Sequence, residues 1–306
     1  MGRPDAARWG WFLALVLGAA VILIVGRRGP ADGQAVVGAP GGDAPMETFA
    51  GIPPLAWLVE RIGGDHVHVE VLVQPGREPH TFEPTPRQVM ALGRARLFFK
   101  VGMPFESRLV ERMARGPGGL TVVDATEGIV KRTMVEDHDE DAAGPDPHVW
   151  LSPPLLRTMA ANVASALAGA DPFHAADYRR RQADLATQID AVHARIQQRL
   201  APFRGQRFYV FHPAFGYFAE AYHLVQEPVE IEGKSPTPRQ LFALVRQARS
   251  DGVRVIFLQP QFDPSSARAV ARAIGGVVLP LDDLAKDVLV NLSDMAEKIA
   301  AADSNR

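Results

Sequence analysis

At 306 residues, with 47% hydrophobic and 22% charged side chains, the chain is long and apolar enough to bury two ordinary cores or one large one, which excludes a disordered protein. Its 33 basic and 35 acidic residues leave a net charge of −2, so no overall positive field exists to gather nucleic acid or acidic lipid. Cysteine is absent, which excludes disulfides, catalytic thiols, thiolate metal ligands and a lipid-modified N-terminal cysteine. Any transition-metal site must then be built from Asp, Glu and the nine histidines.

The chain opens with Arg3 and Arg8 ahead of an uncharged apolar run over residues 9–25, followed by Arg27 and Arg28. That length lies between a secretory core of about 7–15 residues and a membrane span of about 17–25. Residues 1–28 are therefore expected to be an export signal or an uncleaved N-terminal anchor helix. Residues 29–45, rich in Gly, Ala and Pro, read as a flexible tether.

Strand-like and helix-like segments then alternate. Residues 66–74 (HVHVEVLVQ) keep a strict period of two, and Thr85-Pro86 supplies an N-cap and an N1 proline for a short helix. Strands are expected at 97–101 and 120–123 around a helix at 105–113, and Pro153-Pro154 open a further helix. Residues 173–201 form the longest helical pattern, charged over most of its surface, with a thin apolar seam through Tyr178, Leu185, Ile189, Val192, Ile196 and Leu200. Placed mid-chain, this helix reads as a rigid connector that limits closure of what it joins. The alternation resumes with strands at 207–211, 253–258 and 277–281 and helices at 214–222, 264–274 and 286–301. No internal repeat stands out, although the two halves share a topology in outline. The pattern predicts an α/β fold: two parallel-sheet lobes, 46–171 and 203–306, joined by a backbone helix at 172–202.

Candidate ligands sit where such sheets bind things, beyond the carboxyl ends of strands. His80 follows the 66–74 strand, His212 directly follows 207–211, and Asp282 and Asp283 follow 277–281. His148 stands in a loop that feeds a helix. Three neutral imidazoles and one carboxylate make a tetrahedral set suited to Zn²⁺. Pro79, Pro147 and Pro213 stiffen the three turns. Affinity is expected to fall below about pH 6.5, since ligating imidazoles must be neutral. His66 and His68 share one face of a strand and could chelate, but read first as solvent-facing; His174 and His193 read as surface residues of the connector, and His223 faces the dipole at a helix end. The acidic stretch 136–148 reads as a solvated loop or a cation-collecting flap beside His148.

The runs PGREPHTFEPTP, DPHVWLSP, FHPAFGYFAEAY, EGKSPTP and VVLPLDDLAKD, in this order over residues 46–302, resemble the metal-binding solute-binding proteins of zinc and manganese ABC importers. The resemblance implies a metal held between two lobes by His80, His148, His212 and an acidic residue at Asp282, with Asp283 as its competitor. It implies a non-enzymatic, monomeric carrier of Zn²⁺, or alternatively Mn²⁺, at the extracytoplasmic face of the membrane, serving an ABC permease and its ATPase subunit. Two other readings stay open: an exported zinc hydrolase with Glu78 or Glu232 as base, and a module that binds a metal chelate or acts as an adhesin.

Overall fold

The computed structural model describes residues 44–113, 119–134, 144–230 and 237–303. The expected N-terminal helix and most of the tether lie outside the described residues, as does most of the acidic stretch after Glu136. No helix among the described residues is long and apolar enough to cross a membrane.

In chain order the first half runs β1 (Met46–Ala50), α1 (Pro53–Gly63), β2 (Val67–Val71), α2 (Pro86–Leu92), β3 (Leu97–Lys100), α3 (Pro104–Met113), β4 (Thr121–Asp124) and α4 (Pro153–Ala170). Helix α5 (Ala175–Leu200) follows. The second half runs β5 (Arg207–Val210), α6 (Gly216–Tyr222), β6 (Val225–Pro228), α7 (Pro238–Ser250), β7 (Val255–Leu258), α8 (Ser265–Ile274), β8 (Val277–Pro280) and α9 (Val288–Asp303). Each half folds into a four-stranded, all-parallel sheet. The orders, β2-β1-β3-β4 and β6-β5-β7-β8, are the same order repeated. Parallel neighbours require crossover connections, which the intervening helices supply.

Two pairs of elements escaped the periodicity argument. β1 and α1 lie in an apolar stretch without a clean period, because β1 is a central strand and most of α1 is buried. β6 and α7 were also missed, although α7 carries a legible signal. PTPRQ occurs at 84–88 and again at 236–240. In both copies the threonine caps the helix and the glutamine closes a capping box. The short repeat marks equivalent positions in two equivalent lobes.

The apolar seam of α5 is buried along its whole length. One core runs from the first sheet through α1, α4 and α5 into α9, and a smaller one fills the space between the second sheet, α7 and α8. The C-terminal helix thus packs back on α5.

Register sets the stage for the site. Ala50 lies opposite Val71 and Phe99, and Val210 opposite Pro228 and Phe257, so three strands of each sheet finish level. The loops beyond those ends converge. One of them is held by a buried acid: Glu106 Oε2 accepts the N–H groups of Val101 (3.0 Å), Gly102 (2.7 Å) and Met103 (2.8 Å). Burial pushes its carboxyl up to about 7, against the pull of those donors and of Lys100. Glu106→Ala strands three amides at once, so unfolding free energy at pH 7 should drop by about 3 kcal/mol. Urea denaturation followed by circular dichroism measures this; an unchanged midpoint would show that water replaces the carboxylate at no cost.

Candidate metal centre

His80, His148 and His212 come together. Among the described residues they form the one group of potential metal-holding side chains, with one ligand atom from each lying within 4.8 Å of the others. Ring centroids are 5.0 Å apart for His80 and His212, and 5.3 Å for each of the other two pairs. His80 and His148 turn their Nε2 atoms toward each other at 3.4 Å. The Nε2 of His212 is buried and has no hydrogen-bond partner. A buried ring nitrogen without a partner is costly unless something else meets it.

The local sequence explains how two of these rings are placed. His80 and His148 share a pattern, acid-Pro-His, in Glu78-Pro79-His80 and Asp146-Pro147-His148. In each, the carboxylate two residues back accepts the backbone N–H of the histidine: Glu78 Oε1 at 2.7 Å and Asp146 Oδ1 at 3.0 Å. Asp146 Oδ1 also accepts from His148 Nδ1 at 2.7 Å, which fixes the tautomer and leaves Nε2 facing inward. His212 is bracketed differently. Gln259, fully buried, accepts from its N–H (3.2 Å) and donates to its carbonyl (2.7 Å), while Glu230 accepts from its Nδ1. Two of the three imidazoles thus have a carboxylate behind them, the arrangement that orients metal-bound histidines and raises their basicity. Asp146 and Glu230 were not singled out from sequence. The D-x-H spacing could have found the first. Glu230 lies 18 residues beyond His212, and no local pattern marks it.

The two aspartates after β8 face different ways. Asp283 is buried, its Oδ1 accepts from Gln261 Nε2 (2.8 Å), and its backbone carbonyl accepts from the Trp150 indole (2.7 Å), two residues beyond His148. Its charge acts on His212. Asp282 spends Oδ1 on the N–H of Leu284 (2.8 Å), and its carbonyl accepts from Asn291 of α9. Burial, with the charge of Asp283, pushes its carboxyl up against the pull of the Leu284 and Ala285 N–H groups and of Lys298.

The remaining histidines lie elsewhere. His66 ends a 3-10 turn instead of starting the strand, and stacks on His174 with centroids 3.8 Å apart. His68 pairs with Glu47 at 2.7 Å, His193 bonds Tyr222, and His223 closes α6 in the left-handed region at φ 57. His66, His174 and His193 are thus half-buried and partnered, not free surface residues. Glu78 commits both oxygens to its own turn, through His80 and Thr81, so it is not poised as a base. Glu232 lies outside the described residues. A cavity of about 420 Å³, lined by Arg132, Asp146, Pro213, Gly216, Glu220 and Glu227 among others, opens beside the cluster, behind the residues that hold it.

Electrostatics separates the rings. Burial, reinforced by the neighbouring imidazoles, pulls His80 down to about 2, so it stays neutral at any physiological pH. Burial also works to lower His212, but the hydrogen bond and charge of Glu230, with Asp283 and Glu78, outweigh it and hold His212 above the ordinary imidazole value. A raised value means that the proton is kept to higher pH. Protons should therefore begin to compete with metal above pH 6.5, earlier than an unperturbed imidazole implies, with affinity then falling about tenfold per unit. Glu230→Gln removes the anion and should move that onset to lower pH. Zinc titration calorimetry across pH 5.5–8 reads both curves; superimposed curves would refute the assignment.

A family model described as zinc-uptake complex component A, periplasmic, matches residues 49–302. A solved structure described as ZnuA superposes with a TM-score of 0.80 at 36% identity, covering 84% of this chain and 99% of its own. The high-affinity zinc uptake system protein ZnuA of Paracoccus denitrificans is 29% identical over 252 residues, 72% of this chain and 77% of that one. The laminin-binding protein Lmb of Streptococcus agalactiae, described as a bifunctional protein with adhesin and metal-transporting activity, superposes at 0.75 with 25% identity, covering 84% of this chain and 99% of its own.

Proposed function

The chain belongs to the family of periplasmic zinc-uptake component A proteins, and from that premise we propose that it is an extracytoplasmic solute-binding protein for a divalent transition metal. It takes Zn²⁺ in preference to Mn²⁺ and delivers it to an ABC permease with its ATPase subunit. The observation that carries this reading is the convergence of three imidazoles, one ending in a buried Nε2 with no partner. Nitrogen donors backed by carboxylates favour zinc over manganese, which prefers oxygen. The ligands are His80, His148 and His212 with one carboxylate after β8. Sequence resemblance put that carboxylate at Asp282; the contacts of the two side chains favour Asp283.

The protein holds its metal and does no chemistry with it. Four protein ligands fill a tetrahedral zinc, which leaves no position for an activated water. Nor does Glu78 offer a free oxygen for a general base. It works as a monomer of two lobes, 46–171 and 203–306, around the connector at 172–202. The continuous core through α5 keeps their closure small. Export follows from residues 1–28, whether cut as a signal or kept as an anchor.

Metal analysis of the purified protein tests the proposal. One equivalent of zinc is expected in the wild type and little or none in His212→Ala; equal zinc in both would sink it.

A further inference from the structure

Beyond the ligands, one phenol of the second lobe reaches into the first. Arg132 and Asp146 lie between β4 and α4 and pair with each other: the Asp146 N–H donates to the Arg132 carbonyl (2.8 Å), and Met134 pairs with Gly144 just beyond (2.9 Å). These bonds make the base of a hairpin. Tyr217 comes from the other lobe, on α6, which starts four residues after His212. Its hydroxyl, in a buried residue, donates to the Asp146 carbonyl (2.9 Å) and accepts the Arg132 N–H (2.8 Å). One helical turn on, Glu220 pairs with the Arg132 guanidinium at 2.5 Å, and that guanidinium lies over the Tyr217 ring. Gly216 leaves the room for this approach, because a Cβ there would meet Arg132 Nε at 3.3 Å and Asp146 Oδ2 at 3.4 Å.

We infer that Tyr217 is a positioning residue that straps the second lobe to the hairpin behind His148 and so sets how fast the bound metal leaves. The inference rests on the metal-site reading above. Asp146 is the link. Its side chain holds His148 by both Nδ1 and the backbone N–H, and its carbonyl is what Tyr217 grips. On the other side the rigid start of α6 carries the grip back to His212. The lobes cannot part, and His148 and His212 cannot separate, without breaking the Tyr217 and Glu220 contacts. Association, which begins from the open arrangement, owes little to them, so the strap acts on dissociation.

Tyr217→Phe keeps the ring and removes the hydroxyl, stranding a buried carbonyl and a part-buried N–H. Zinc release into excess chelator, followed by stopped flow, is expected to speed up about tenfold, while the association rate stays within about twofold and stoichiometry stays at one. Arg132→Met keeps the backbone N–H, removes the exposed ion pair and the guanidinium over the Tyr217 ring, and should speed release about two- to threefold; combined with Tyr217→Phe the effects should fall short of additive. A merely structural role would lower the melting temperature of the metal-free protein and leave the two rates unsplit. Unchanged release from both variants, or equal changes in association and dissociation, overturns the strap. A wild type that takes up no zinc overturns the metal site itself, which is a separate outcome.

Discussion

Replacing His80 by alanine should weaken zinc binding about a hundred- to a thousandfold while leaving the metal-free fold almost as stable as before. The magnitude follows from sharing about 10–16 kcal/mol, the range for structural zinc sites, among four ligands, or about 2.5–4 kcal/mol each. His80 is the cleanest of the three to remove. Among the described residues its ring nitrogens meet only His148, and burial keeps it uncharged, so its loss strands no carboxylate and releases no buried charge. The other two differ. His148→Ala leaves Asp146, and His212→Ala leaves Glu230, each buried without its ring partner. Breaking one side of such a pair costs about 3–5 kcal/mol of stability in its own right. Chelator competition for affinity, run beside thermal unfolding of the metal-free variants, separates the two. The expected pattern is a large affinity loss in all three with a stability loss confined to His148→Ala and His212→Ala. An affinity within about tenfold of wild type in His80→Ala would remove His80 from the site.

Much of this was legible in the chain because the site sits where strand-end logic looks. His80 and His212 follow strands of correct period, and the acid-Pro-His turns give His80 and His148 a local reason to be rigid. The seam of α5 reads directly as buried surface, since a helix exposed on most sides leaves only one stripe for packing. What the pattern hides is what burial on both faces hides. β1 lies at the middle of its sheet and α1 beneath it, so neither shows an alternation of apolar and polar residues. α7 is the opposite case: its signal, a second PTPRQ, stands openly in the letters. The carboxylates behind the rings are illegible for another reason. Glu230 reaches His212 only because β5 and β6 are neighbours in the sheet, with Val210 opposite Pro228. A pairing of that kind is a product of topology and leaves no spacing to read.

The same limit applies to Asp282 and Asp283, which adjacent letters cannot tell apart and whose contacts past the strand end differ. Successive residues past β8 turn to different sides. Asp282 points back to its own turn, where the Leu284 N–H meets it, and Lys298 of α9 acts on its charge. Asp283 lies under the site, tied to Trp150 beside His148 and acting on His212 through its charge. Asp283→Asn keeps the shape and removes the anion, so zinc affinity should fall about a hundredfold, the upper end for groups that tune a metal site and a lower bound for a ligand. Asp282→Asn retains an oxygen for Leu284 and should stay within about threefold of wild type. A second reading comes from the metal-free protein. Because the Asp283 charge helps to hold His212 above the ordinary imidazole value, Asp283→Asn should lower the His212 titration midpoint seen by NMR, and Asp282→Asn should leave it in place. If Asp282→Asn proves the damaging substitution in both measurements, the carboxylate ligand is Asp282 after all, and Asp283 serves only to brace Trp150.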